Sequence, residues 1–360
     1  MTNYINLVTV GALAMVTQSA QAGEVNNQSW KFGSKLQINT QQINESKKSG
    51  DASEVKSSSS EIALHRAEIK ISGEQGQDKL EIIYLVDSST LETATITHKM
   101  NDTVSILAGK MFLLTQSWEW DYHVADQYFY SEAGSLSPAE ASNGAQLNLL
   151  FGDHTINLQA VQGMNSIETP TGSKVTFESK GGLSTAIQYR GEISKMIRPI
   201  MTYTTIRTAS SKGSDGNNYG NGYQNQIGVG VQIAAGNAVI DAELDTVKQL
   251  KFKNSAADTN KDINTQSIIL QAKYSIGDTT PLIKLSLDSK KTGMSQAQID
   301  TGNEGDLTGM QIATGLEYKL DETCRLHAIY RNNNSSAKIA GGKNEIIKTT
   351  GFNFGITATM

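Results

Sequence analysis

The sequence predicts an all-β fold, a closed antiparallel transmembrane β-barrel of sixteen strands, and three observations predict it. Apolar and polar side chains alternate with a two-residue period in one segment after another. The connections between those segments are short and long by turns, and no stretch beyond the N-terminus is apolar for the ~18 residues that a helical span needs. Composition agrees: hydrophobic residues make up 38% of the chain, with 32 glycines against 4 prolines, which suits strands that turn half of their side chains to water.

The first segment reads as an address. Ile5 to Val16 form a short apolar run with Gly11, Ala12 and Ala14, and Ala20-Gln21-Ala22 follows as the small-x-small pattern that a signal peptidase accepts. Residues 1–22 are therefore read as a signal peptide and 23–360 as the barrel domain. The run lacks the usual Lys or Arg before it, and a buried N-terminal helix is the alternative. Its shortness and the abruptly polar sequence from Gly23 argue against that alternative.

The first strand runs from Trp30 to Ile43, with Trp30, Phe32, Leu36 and Ile38 on one parity and Lys31, Lys35, Gln37 and Asn39 on the other. A polar stretch follows from Asn44 to Ser60. Further strands are expected at Ile62–Ser72, Lys79–Val86, Glu92–Lys99, Thr103–Phe112 and Gly144–Phe151. The rest fall at 154–163, 182–190, 197–208, 223–234, 238–248, 262–275, 281–290, 308–319, 323–332 and 346–360. Tight turns are expected at 73–78, 100–102, 152–153, 235–237, 277–278 and 321–322. Long polar loops are expected at 164–181, 209–222, 249–261, 291–307 and 333–345.

Without the signal, each strand with its connection has about 21 residues, enough for a tilted span of about 9–11. The last strand must pair with the first, because closure removes edges that lipid does not tolerate. Trp30, Tyr84, Tyr189 and Tyr330 fit an interfacial girdle or, equally, packing at a subunit contact.

Sixteen strands enclose more space than side chains can fill, so the lumen is expected to hold water unless something folds into it. The candidate is the connection after strand five, residues 113–142. It carries Trp118, Glu119, Trp120, Asp121, Asp126 and Tyr128 among several aromatics and acids, and no Lys or Arg. Aromatic rings at that density are worth burying, so the loop is read as an inward-folded constriction; an external cap or a trimer contact remains the alternative.

On strand two, Arg66, Glu68 and Lys70 share the parity opposite Ala67, Ile69 and Ile71 and should face water. Lys31, Lys35, Arg198, Lys284, Arg325, His327 and Arg331 are candidates by the same rule. An acidic loop against a basic wall would orient dipolar solutes; these residues would equally serve to hydrate the interior.

Several function classes are disfavoured. A net charge of −5 and a pI near 5.6 argue against a nucleic-acid partner. The single Cys324 forms no internal disulfide, the five histidines are scattered, and neither a zinc spacing nor a GxSxG nucleophile motif is present. No metal, cofactor or catalytic residue is expected, and the chain is not read as an enzyme.

Residues 62–155 resemble the phosphate-selective porin O/P family and related sixteen-strand channels. The likeness lies in Arg66-Ala67-Glu68-Ile69 with Gly73 and in Ser105-Ile106-Leu107-Ala108-Gly109-Lys110-Met111 leading into the long loop. The resemblance implies a homotrimeric barrel in the outer membrane, with the loop after strand five folded inside, and it makes Arg66 and Lys110 candidates for the basic lumen and the start of that loop. The chain departs from the family in lacking lysines and arginines across the loop and a dense arginine ladder, and in ending at Met360 rather than an aromatic residue. The expectation is a porin for passive diffusion of small hydrophilic solutes and ions. A solute-selective channel of phosphate or anion type and a structural or adhesive barrel are the alternatives.

Overall fold

The computed structural model describes residues 29–50, 52–115, 118–120, 129–136, 141–163, 166–168, 174–176, 182–207, 211–212, 218–219, 223–252, 261–293, 299–300 and 305–359. The expected signal segment lies outside them. Sixteen strands form one closed antiparallel barrel. They are β1 Ser29–Ser49, β2 Val55–Gln75, β3 Asp78–Leu85, β4 Thr90–Lys99, β5 Val104–Met111, β6 Ser142–Phe151, β7 His154–Gln162 and β8 Leu183–Gly191. They continue as β9 Ile197–Arg207, β10 Tyr223–Ala235, β11 Ala238–Phe252, β12 Lys261–Tyr274, β13 Thr279–Lys291, β14 Leu307–Lys319, β15 Cys324–Lys338 and β16 Asn344–Thr359. Each strand pairs with its neighbours in sequence, and β16 closes on β1 with Gln37 opposite Thr357 and Ile43 opposite Gly351.

The side chains are distributed inside out. On one face Ile227, Val229, Leu244, Ile268, Leu287 and Phe354 are 45–55% exposed, whereas on the other Gln226, Asp245, Ser267 and Ser286 are at most 1% exposed. A soluble sandwich would bury the first set and hydrate the second. An apolar outer band over a polar interior is the arrangement that a barrel in lipid requires.

One rim is made of tight turns. At Gly76-Gln77, Gly152-Asp153, Gly236-Asn237 and Gly277-Asp278 the glycine leads at φ between +56° and +61° and the next residue has negative φ. Glycine in the first central position gives a hairpin turn whose twist matches that of its strands. At the turn between β14 and β15, Asp321 accepts from Thr323 Oγ1 (2.8 Å), Thr323 N (2.7 Å) and Cys324 N (2.8 Å). These bonds, led by that from the Thr323 hydroxyl, hold its carboxyl below the usual carboxylate range.

At the other rim the expected loops at Asn44–Ser60 and 333–345 are largely strand. β1 continues to Ser49 and β2 begins at Val55, while β15 reaches Lys338 and β16 begins at Asn344. Above the lipid both faces of a ribbon meet water, so the period-two signal disappears while the backbone ladder persists. Side-chain bonds such as Ser58 Oγ to Asn44 Oδ1 (2.8 Å) and Ser49 Oγ to Glu345 Oε1 (2.8 Å) tie the extension together. Because β3 pairs with β2 only from Glu68 onward, the edge of β2 from Val55 to Arg66 has no strand beside it among the described residues. A one-residue bulge at His65 separates the two parts of β2, since Gln37 faces Arg66 and Ile38 faces Leu64.

On the outer face Trp30 stands opposite Gly73. A Cβ at Gly73 would come within 2.7 Å of Trp30 Cε3, so the ring lies directly on the glycine backbone. His154 and Tyr189 stack near the turn rim with ring centroids 5.9 Å apart, and Tyr330 meets Phe352 at 5.0 Å.

Candidate functional site

The polar face has a basic side and an acidic side, because charges of one sign recur at alternate positions of particular strands. Arg325, His327 and Arg331 share a parity on β15. One register row then runs from Arg325 through Thr357 and Gln37 to Arg66. Lys35 lies one step along, opposite Glu68. Arg66 is buried and tied by Nε to Glu68 Oε2 (2.6 Å) and by Nη2 to Glu92. Lys70 bonds Glu81 (2.9 Å), and Arg331 Nη2 donates to Gln41 Oε1 (3.3 Å). Glu317 lies 3.4 Å from Lys273 Nζ and 3.8 Å from Arg325 Nη1.

The acidic side is β11 alone, because the polar parity of β13 sets Asp288 between the buried Lys284 and Lys290. Asp241, Glu243 and Asp245 occupy three successive positions of the polar parity on β11 and are buried, as is Asp288 on β13. Row by row, Asp245 faces Ser267 and Ser267 faces Asp288.

The connection after β5 is bound to seven strands by its described residues. Gln159 on β7 donates from Nε2 to the Phe112 carbonyl (2.9 Å) and accepts at Oε1 from Leu114 N (2.8 Å). Thr204 on β9 donates to the Leu114 carbonyl, and Gln224 on β10 donates to that of Leu136 (2.9 Å). Trp118–Trp120 form a short 3-10 turn. Within it, Glu119 N donates to Glu243 Oε2 on β11 (3.1 Å), and the Glu119 carboxylate accepts from Lys284 Nζ on β13 (2.8 Å), Ser131 N (2.9 Å) and Ser131 Oγ (2.7 Å).

Glu132–Ser135 make one helical turn, α1, capped by the Ser131 hydroxyl accepting from Gly134 N (2.9 Å). Its first amides meet the wall: Glu132 N donates to Asp288 Oδ1 (3.0 Å) and Ala133 N to Ser267 Oγ on β12 (3.0 Å). Asp288 also accepts from Ser286 Oγ (2.8 Å) and from Gln311 Nε2 on β14 (3.3 Å), which donates to the Tyr130 carbonyl of the connection as well (3.2 Å). Lys284 is 1% exposed; its ammonium also donates to the Phe129 carbonyl (2.7 Å) and lies 4.6 Å from the centroid of that ring. An ammonium so enclosed is tolerable only because a carboxylate, a carbonyl and a ring face all meet it.

Of the loop residues that sequence points to, Glu119 and Trp118 are buried, Trp118 with the Arg190 guanidinium 5.9 Å from its ring. Trp120 ends the 3-10 turn. Asp121, Asp126 and Tyr128 lie outside the described residues. Arg66, Glu68, Lys70, Arg325 and Arg331 share the polar parity, as above. Lys110 alternates with the buried Met111, shares its parity with the 39%-exposed Ile106, and bonds the Leu91 carbonyl. It therefore joins none of the acids on the polar face. The wall residues that receive the loop, Glu243, Ser267, Asp288, Gln311 and Gln159, were not picked out by sequence. The one legible sign was the acidic spacing Asp241, Glu243, Asp245.

No family model matches the sequence, and no curated protein is similar to it. Among solved structures, the anion-selective porin from Comamonas acidovorans superimposes with a TM-score of 0.63 at 12% identity, over 93% of this chain and 100% of that one. OmpT, an outer membrane protein of Vibrio cholerae, gives 0.62 at 11% identity over 95% and 100%. The outer membrane channel DcaP of Acinetobacter baumannii gives 0.62 at 10% identity over 94% and 100%. The chain therefore has the fold of these outer-membrane proteins along nearly all its length; identities this low speak to fold alone.

Proposed function

We propose that the chain is an outer-membrane porin, a water-filled passage for passive diffusion of small hydrophilic solutes and ions, with the connection after β5 folded across the lumen as its constriction. The observation that carries this reading is the bond from Lys284 to Glu119. It ties a segment leaving β5 to β13, half-way round the wall, through side chains of the polar parity. A segment held by seven strands at that parity narrows a wide barrel without filling it. No catalytic step and no cofactor enters the proposal. It includes removal of residues 1–22 as a signal peptide and assembly as a homotrimer.

A second reading, an anion-preferring channel, is favoured by Arg325, His327 and Arg331 on one strand beside Lys35 and Arg66. The test is single-channel recording of the purified protein in a planar bilayer under a salt gradient. Discrete conductance steps are expected, and their absence from protein shown to be inserted would remove the channel reading. The sign of the reversal potential decides between the two readings.

A further inference from the structure

Beside the connection the inner wall keeps a pocket of about 220 Å³, which narrowing the lumen does not require. Its floor follows the register row Arg331, Gly351 and Ile43 across β15, β16 and β1. Gly351 leaves that floor open, because a Cβ there would meet only the Gln42 carbonyl at 3.1 Å and Ile43 Cγ1 at 3.8 Å. Ile43 is the one apolar side chain on the polar parity of β1 between Lys35 and Lys47. The Phe129 ring closes one side of the pocket, packed on Leu282, Ala313 and Ile329. Asn333 and Thr349, opposite each other in the next row, supply an amide and a hydroxyl.

We infer that this pocket takes a zwitterionic amino acid with an apolar side chain. Charges of both signs stand at its edges. Arg331 presents a guanidinium, which matches a carboxylate in charge and shape, and its Nη2 donates to Gln41 Oε1 (3.3 Å). Gln41 in turn donates from Nε2 to Glu61. Glu45, two positions beyond Ile43 on β1, is the register partner of Thr349; it is exposed, and its carboxylate has no partner among the described residues. Side chains directly opposite on paired strands have their Cβ atoms about 4.5–5.5 Å apart, so Glu45 borders the lining at Thr349. The carboxylate of an amino acid would meet Arg331, its ammonium Glu45, and its side chain the space between Ile43 and Phe129. A simple anion would instead have the carboxylates of Glu45 and Glu61 beside it, with nothing to offer them. The pocket is smaller than the about 300–1,000 Å³ of sites for drug-sized ligands, so the ligand is a small one. The inference deepens the channel reading, on which it rests, by naming a class of solute.

The test uses the full barrel in detergent and saturation-transfer NMR, with L-leucine, 4-methylpentanoate, 3-methylbutylamine and glycine as probes. Leucine should bind at least fivefold more tightly than each of the others, which lack its amine, its carboxylate or its side chain. R331Q and E45Q should each weaken leucine at least fivefold, and G351V, whose side chain fills the floor, should abolish its signal. Heat-dependent gel mobility checks that each barrel is folded; if G351V does not fold, the other two variants carry the test. 4-Methylpentanoate, 3-methylbutylamine or glycine binding as tightly as leucine would overturn the inference, as would leucine affinity unchanged in R331Q or in E45Q. Binding is read without a membrane, so a barrel that binds leucine but does not conduct would defeat the channel reading alone. One that conducts but does not bind leucine would defeat this inference alone.

Discussion

Lys284 Nζ lies 2.8 Å from Glu119 Oε1, joining two buried side chains 165 positions apart in the chain. Taking away one partner of such a pair typically costs about 3–5 kcal/mol, because the other charge is left enclosed. E119Q and K284M should each free the connection and raise single-channel conductance. The double variant should deviate from additivity by about 0.5–3 kcal/mol in unfolding free energy. Conductance and stability unchanged in both single variants would mean that the contact holds nothing.

Asp288 accepts from Ser286, Gln311 and the Glu132 amide together. D288A should leave the barrel folded but expose the backbone of 131–136 to hydrogen exchange, since α1 loses its main acceptor. Protection there equal to that of the parent would show that the turn is held by other bonds.

The two sides of the polar face should act oppositely on ion preference. R325Q/R331Q is expected to move the reversal potential toward cations and D241N/D245N toward anions, each by several millivolts in a tenfold gradient. E119Q should move it toward anions as well, because it leaves the Lys284 ammonium without its carboxylate. A shift of the same sign from both double variants would rule out control by opposed walls.

Gly73 lies under Trp30 with no room for a Cβ. G73A must displace the indole and should lower stability by about 1–3 kcal/mol, read as an earlier thermal transition of the reconstituted barrel. W30A/G73A should recover part of that loss. A G73A barrel as stable as its parent would mean that the ring relaxes freely.

The sixteen strands were legible because each crosses from one solvent to another and must alternate to do so; Gln226 beside Ile227 and Ser267 beside Ile268 show why the signal is strong. It failed at Asn44–Ser49 and Val55–Glu61, where water on both faces removes any reason to alternate. The loop was conspicuous for its rings and acids. Its anchors were not, because Glu243, Ser267 and Asp288 look like any other polar position of a strand until the barrel closes and brings them opposite Glu119 and α1.

The ribbon made by the ends of β1 and β2 has a backbone edge from Val55 to Arg66 with no strand beside it among the described residues. Such an edge invites foreign strands, and the serines at 57–60 with Lys56 and Glu61 make it a poor template for them. Extra sequence grafted at its tip, after Ser49, would be carried as a flag on a mast, visible from outside while traffic below continues.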